Sequence, residues 1–159
     1  MAGTTSTHFR ALALGTAAGM RSQTPLFLMA AAANRGDFAA DAPRPLGFLR
    51  SRAVLAGFGL AAAGEMFGDK LGIVPGRLKP GPLGGRLVIG GLSGVALFRE
   101  AGLPVLPGAA LGSLGAGLGA VAGYSGRAYL GRATGVPDPV WGFAEDALAL
   151  GLGILALRR

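Results

Sequence analysis

The chain has 159 residues, half of them hydrophobic, with 30 glycines, 14% charged residues and a formal net charge of +7. An ordinary soluble domain carries about 25% charged residues, so this composition describes one lipid-facing domain and argues against a soluble one. The lack of cysteine excludes disulfides and thiolate chemistry. The Lys and Arg residues stand singly between apolar runs, without the basic, aromatic-interleaved patch that a nucleic-acid surface needs.

Residues 1–10 read as a polar, disordered tail. They are no secretory signal, because the apolar stretch behind them runs into Arg21 where a cleavable core should continue. His8, the only histidine, reads as a solvated tail residue, since no Cys or second His completes a metal site. Ala11 to Ala33 follows, roughly 34 Å of helix and long enough to cross the hydrocarbon. Arg21, Ser22, Gln23 and Thr24 interrupt it, and Pro25 removes a backbone donor, so a kink or break is expected near Pro25. Irregular backbone at that depth must face protein or a wet cavity. Arg21 there neutralises a carboxylate, faces a ligand, or snorkels to the interface.

Asn34 to Arg52 reads as a solvated connector with two prolines, four arginines and two aspartates. The second span, residues 53–72, carries Glu65 and Asp69 four apart, hence on one face, with Lys70 beside them. Asp69 and Lys70 read first as an interfacial charge pair, whereas Glu65 has no polar cover in sequence and is either buried with a partner or functional. A third span, 83–98, is weak at its start, where Arg86 either snorkels or enters the bundle. The fourth, 103–124, is nearly all Gly, Ala and Leu, and ends in Tyr124, Arg127 and Tyr129, an aromatic and cationic pattern expected at headgroup depth. The last, 138–157, opens with Asp138 as a helix cap, Pro139 at the first helical position and Trp141 as an interfacial anchor. Glu145 and Asp146 lie inside that apolar run, where a carboxylate costs about 2.5–3.5 kcal/mol and is retained for a partner or a task.

These elements define an all-α, polytopic transmembrane bundle of about five spans, one domain over residues 11–157, in a cell membrane. Gly15/Gly19, Gly64/Gly68, Gly90/Gly94, Gly108/Gly112 and Gly115/Gly119/Gly123 share the four-residue spacing that supports close helix packing. The lipid bilayer is the expected partner, and glycine-rich faces leave a homo-oligomer open. With five spans the termini fall on opposite sides. Glu65, Asp69, Arg127, Glu145 and Asp146 then occupy one half of the membrane, with Arg21 nearer the midplane. Left unpaired, these groups would together cost on the order of 15 kcal/mol. An inward-facing network is therefore expected around Arg21, Glu65, Arg127 and Glu145, with Gln23, Asp69, Arg86 and Asp146 as further candidates.

Such a network either lines a polar vestibule that binds or passes an ion, a proton or a small polar solute, or locks helix register in a scaffold subunit. Nothing points to an enzyme, a cofactor or a metal: nucleophile elbow, Walker loop and paired histidines are all absent from the sequence. Weak echoes between residues 17–22 and 121–127, and between 64–70 and 143–149, raise an inverted repeat. The depth count opposes it, because it puts Glu65 and Glu145 in the same half. Lys and Arg divide evenly between the two sides when Arg10 is counted with the charge cluster, so the positive-inside rule gives no orientation.

The order Gly19-Met20-Arg21-Ser22 with Pro25-Leu26, then Glu65, Asp69 and Lys70, then Pro82, Gly84, Gly85 and Arg86, resembles the bacterial membrane proteins grouped as domain of unknown function 4126. The resemblance extends to Gly123 through Arg132 and to the helix with Glu145. It implies a multi-span protein of the bacterial cytoplasmic membrane and transfers no catalytic residue. The long connector after Ala33 departs from that pattern and leaves open a further partial span.

Overall fold

The computed structural model of the chain describes residues 2–38, 46–70 and 78–158, with the side chains of all of these except 2–5, 69 and 70. Its helices are α1 (Ala2–Met20), α2 (Gln23–Arg35), α3 (Arg52–Lys70), α4 (Pro80–Glu100), α5 (Val105–Thr134) and α6 (Asp138–Leu157), with a 3-10 turn at Leu46–Arg50. The last element coincides with the expected one. The fourth runs ten residues beyond its expected end, which places Tyr124 and Tyr129 on the helix. Helix α1 begins at Ala2, so the expected tail is helical; Thr7 is buried and the His8 ring meets Phe98 edge-on at 4.9 Å.

The run 11–33 is broken ahead of Pro25, one of the two expected outcomes, but the break is a reversal, so the run is no single span. Helices α1 and α2 fold back on each other at Arg21–Ser22, and both arms lie along α6. Arg10 Nε donates to the Ala156 carbonyl at 2.6 Å. Leu14 and Leu28, each seven residues from Arg21, reach the same point on α6, beside Gly153. Arg21 itself meets Asp146, further toward the start of α6. The sequence explains the turn. A proline ring clashes with the carbonyl four residues earlier, which for Pro25 is Arg21, so the helix breaks one turn ahead of the proline. Pro25 then sits in the first turn of α2, where no backbone donor is needed.

The other helices enclose this hairpin. Helix α5 runs parallel to α1, its Gly115 and Gly119 lying on the backbone of Leu12 and Thr16. Helix α4 is antiparallel to α5, with Gly90 against Gly112 and Gly94 against Gly108. A Cβ added at any of these glycines would overlap backbone of the facing helix, so no rotamer change could relieve it. Gly64, by contrast, faces open space. Helix α3 packs on α2, bringing Gly59 to Phe27 and Glu65 to Ser22.

Two faces result. Both termini, the 3-10 turn and the α4–α5 junction share one, the terminal face. The hairpin tip points to the other, the tip face, where α3 and α5 end and α4 and α6 begin. The expectation of termini on opposite sides is thereby corrected, and Arg10 moves to the terminal face. Counted at 1.5 Å per residue from Arg21 and its neighbours, the tip stops roughly 8–11 Å short of the ends of α3, α4 and α6 on the tip face. Toward the terminal face the core is apolar, built from Leu14, Leu28, Phe38, Leu49, Leu97 and Phe98. Among the described residues, three helices rather than five are long and apolar enough to cross a membrane: α4, α5 and α6.

Candidate functional site at the hairpin tip

A helical hairpin presents two sets of unsatisfied backbone groups at its turn: the last carbonyls of α1 and the first N–H groups of α2. Glu65 and Arg86 meet them. The Glu65 carboxylate accepts from the Ser22 N–H at 2.9 Å, the Ser22 hydroxyl at 3.0 Å and the Gln23 N–H at 2.9 Å. It thus caps α2 from another helix, where Ser22 makes no side-chain cap of its own. Arg86 donates from Nε to the Gly19 carbonyl at 3.1 Å and from Nη2 to Glu65 at 3.0 Å. An anion therefore sits at the positive end of α2, a cation at the negative end of α1, and the two pair with each other. Arg86 is buried, so its sequence alternatives resolve to entry into the bundle.

On the other side of the turn Arg21, fully buried, pairs with Asp146 through Nε. Its Nη2 lies 3.7 Å from Glu145 and donates to the Gly142 carbonyl at 3.5 Å. Arg127 extends the chain of charges outward. Its Nη1 lies 3.5 Å from Glu145, and its Nε and Nη2 fork onto Asp138, the Nε bond being 3.0 Å. Asp138 is exposed, Arg127 is half-buried, and Arg21, Glu145 and Asp146 are buried, so the network runs from the surface of the tip face to the turn.

Arg21, Arg127 and Glu145 thus come together as expected, with Asp146. Glu65 does not join them, since its cation is Arg86. The reason is that Arg21 and Ser22, adjacent in sequence, point to opposite sides of the turn. Gln23 contributes its backbone N–H, and its side chain lies 3.5 Å from the Ser22 hydroxyl. The Asp69 side chain, with that of Lys70, lies outside the described residues. Two participants escaped sequence reasoning. Ser22 stands three residues before a proline, a helix-start signal that reads as mere interruption if one helix is assumed. Asp138 reads as a cap, but the cap position is Pro137 and the carboxylate goes to Arg127.

Two cavities flank the tip. One of about 400 Å³ is lined by Ser22, Gln23, Glu65, Pro82, Gly85 and Arg86. The other, about 270 Å³, lies between α5 and α6 beside Met20, Arg127, Trp141 and Glu145. Among the described residues no group of three His, Cys, Asp or Glu side chains is placed to hold a metal ion.

A broken helical hairpin, tied by ion pairs to helices apolar enough to span a bilayer, defines a class: all-α proteins with membrane-span-like helices and a charged interior turn. Within that class the chain belongs to the DUF4126 family, a domain of unknown function whose profile matches residues 9–158. Neither the curated proteins nor the solved structures hold a match to it.

Proposed function

We propose that the chain is a membrane-embedded bundle in which α4, α5 and α6 cross the bilayer with α3 running between the two faces beside them, α1–α2 forms a re-entrant hairpin, and the recess above its tip is a vestibule for a proton or small cation. The recessed tip carries the proposal: irregular backbone at membrane depth is tolerated where it is buried in protein or lines a wet cavity, and broken helices are a recurrent way to build ion sites there. A cation is favoured by the paired network described at the tip, which holds four carboxylates (Glu65, Asp138, Glu145, Asp146) against three guanidinium groups (Arg21, Arg86, Arg127). The corrected topology supports an orientation. Among the described residues, Arg10, Arg35, Arg50, Arg52, Arg99 and Arg158 gather at the terminal face, against Lys79, Arg86, Arg127 and Arg132 toward the other, an excess that favours a cytoplasmic terminal face. In a bacterium this is the cytoplasmic membrane.

The Arg127–Glu145 pair touches neither backbone end of the hairpin, so it can be neutralised with the caps intact. In liposomes holding an entrapped pH dye, a potassium diffusion potential should drive proton entry above the protein-free rate. Arg127→Gln/Glu145→Gln should elute as wild type on gel filtration and lose that flux. Wild-type liposomes as tight to protons and potassium as protein-free ones would sink the reading, leaving the network as a lock on helix packing.

A further inference from the structure

Between the charged tip and the terminal face lies a polar atom that the vestibule alone does not explain. Thr24 is fully buried, and its hydroxyl has no hydrogen-bond partner among the described residues. A helical threonine commonly bonds the carbonyl four residues back; for Thr24 that residue is Met20, on the other arm of the hairpin. Buried polar atoms nearly always have a partner, and an exception marks a place where water or an ion is accommodated. One turn further along the same face of α2 comes Leu28. Its Cδ1 lies so close to Gly153 of α6 that a Cβ there would overlap it, and Leu14 stands 3.8 Å from the same point. Past Leu28, toward the terminal face, a cavity of about 460 Å³ opens between the ends of α2 and α6, rimmed by Arg35, Asp37 and Arg158 and floored by Leu28 and Ile154.

The α2–α6 seam therefore reads, in order, Arg21 with Asp146, the Thr24 hydroxyl, the Leu28 side chain seated on Gly153, and a cavity with a charged rim. We propose that this seam is the route of the permeant cation, that Leu28 on Gly153 is its gate, and that Thr24 Oγ is an oxygen ligand on the vestibule side. The proposal rests on reading the tip as an ion vestibule. Apolar constrictions close a pore by excluding water, and Gly153 lets one side chain do so by leaving the α6 backbone bare. Loss of the Leu28 side chain would open the terminal-face cavity toward Thr24.

The native chain lacks cysteine, so single replacements can be read without background. Full-length protein in liposomes is treated from each side with a membrane-impermeant methanethiosulfonate. Leu28→Cys should label from the terminal face, Gln23→Cys from the tip face, and Thr24→Cys not from the terminal face. Adding Leu28→Ala should raise terminal-face labelling of Thr24→Cys by about tenfold or more, and the milder Leu28→Val should raise it less, which covers a misfolded alanine variant. Thr24→Cys unlabelled from the terminal face in both backgrounds, with Gln23→Cys still labelled from the tip face, overturns the gate and spares the vestibule. An unlabelled Gln23→Cys overturns the vestibule, and the gate with it.

Discussion

The Glu65–Arg86 pair makes a prediction that separates a capped hairpin from an ordinary buried ion pair. If the pair acted through Coulomb attraction alone, exchanging the charges as Glu65→Arg/Arg86→Glu would leave stability nearly unchanged, because the attraction is symmetric. Here the surroundings are not symmetric. The Ser22 and Gln23 N–H groups and the Ser22 hydroxyl donate to the carboxylate, and the Gly19 carbonyl accepts from the guanidinium. After the exchange a guanidinium would face donors and a carboxylate would face a carbonyl. Each buried donor left without an acceptor costs about 1–3 kcal/mol, and a charge of the wrong sign at a partly buried helix end adds up to about 2 kcal/mol. Allowing for partial relaxation, the swap should cost about 4 kcal/mol, comparable to the 3–5 kcal/mol of simply breaking a buried pair. At about 2–4 °C per kcal/mol for a chain of this size, the midpoint should fall by roughly 10–15 °C. The single tryptophan, Trp141 on α6, gives the readout: thermal unfolding in detergent followed by its fluorescence. A swapped variant melting within about 3 °C of wild type would show that the helix ends do not use these charges.

Gly94→Ala and Gly112→Ala should abolish the folded species on gel filtration, since each new Cβ overlaps facing backbone, whereas Gly64→Ala and Gly131→Ala meet nothing within 4 Å and should be neutral or stabilising by about 0.5–1 kcal/mol. Asp146→Asn, which strips the buried Arg21 of its closest carboxylate, should destabilise by about 3–5 kcal/mol; Asp138→Asn, at the exposed end of the network, should cost under about 1 kcal/mol in the same melting assay. Tags on the two termini should both be protected from protease added outside intact cells. One tag on each side would refute the hairpin, because with α3 to α6 running as described a chain that turns back at Arg21 returns both ends to one face, whereas a straight first span separates them.

What could be read from the sequence follows from which interactions are local. Helix α6 is legible in its extent because its start is marked by Pro137-Asp138-Pro139 and its end by Arg158, although its cap is Pro137 and not Asp138. The charges are legible as a set, because carboxylates within apolar runs demand partners wherever the chain goes. Their pairing was not legible. It depends on the direction of α2, and that direction turns on two residues: the apolar length of 11–33 fits one span as well as two short arms, and Pro25 announces a break without fixing its angle. Assuming one span put Arg10 and the N-terminus on the wrong face and left the Lys/Arg count tied. Ser22 is illegible for the same reason, since a cap has meaning only where a new helix begins. Which glycines would be buried was also a tertiary matter. Gly90/Gly94 and Gly64/Gly68 have the same spacing, yet Gly90 and Gly94 meet α5 backbone while Gly64 faces open space.

The hairpin and the charges explain each other. A turn enclosed by helices leaves carbonyls at the end of one arm and N–H groups at the start of the next in need of partners. Each enclosing helix sends at least one ionised side chain to the turn or its outward extension: Glu65 from α3, Arg86 from α4, Arg127 from α5, and Glu145 and Asp146 from α6. A polar recess on the tip face is then unavoidable, because the arms stop short of the helices around them and their ends must be met by charge. The inner charges therefore cannot by themselves distinguish an ion pathway from a lock, since replacing Glu65, Arg86 or Asp146 removes a support of the turn and a lining of the recess together. The discriminating position lies one turn past Thr24. Leu28 meets no charge of the hairpin and caps no helix end, so on the proposed route opening the seam there should change what passes between the two faces while the turn keeps every partner it has.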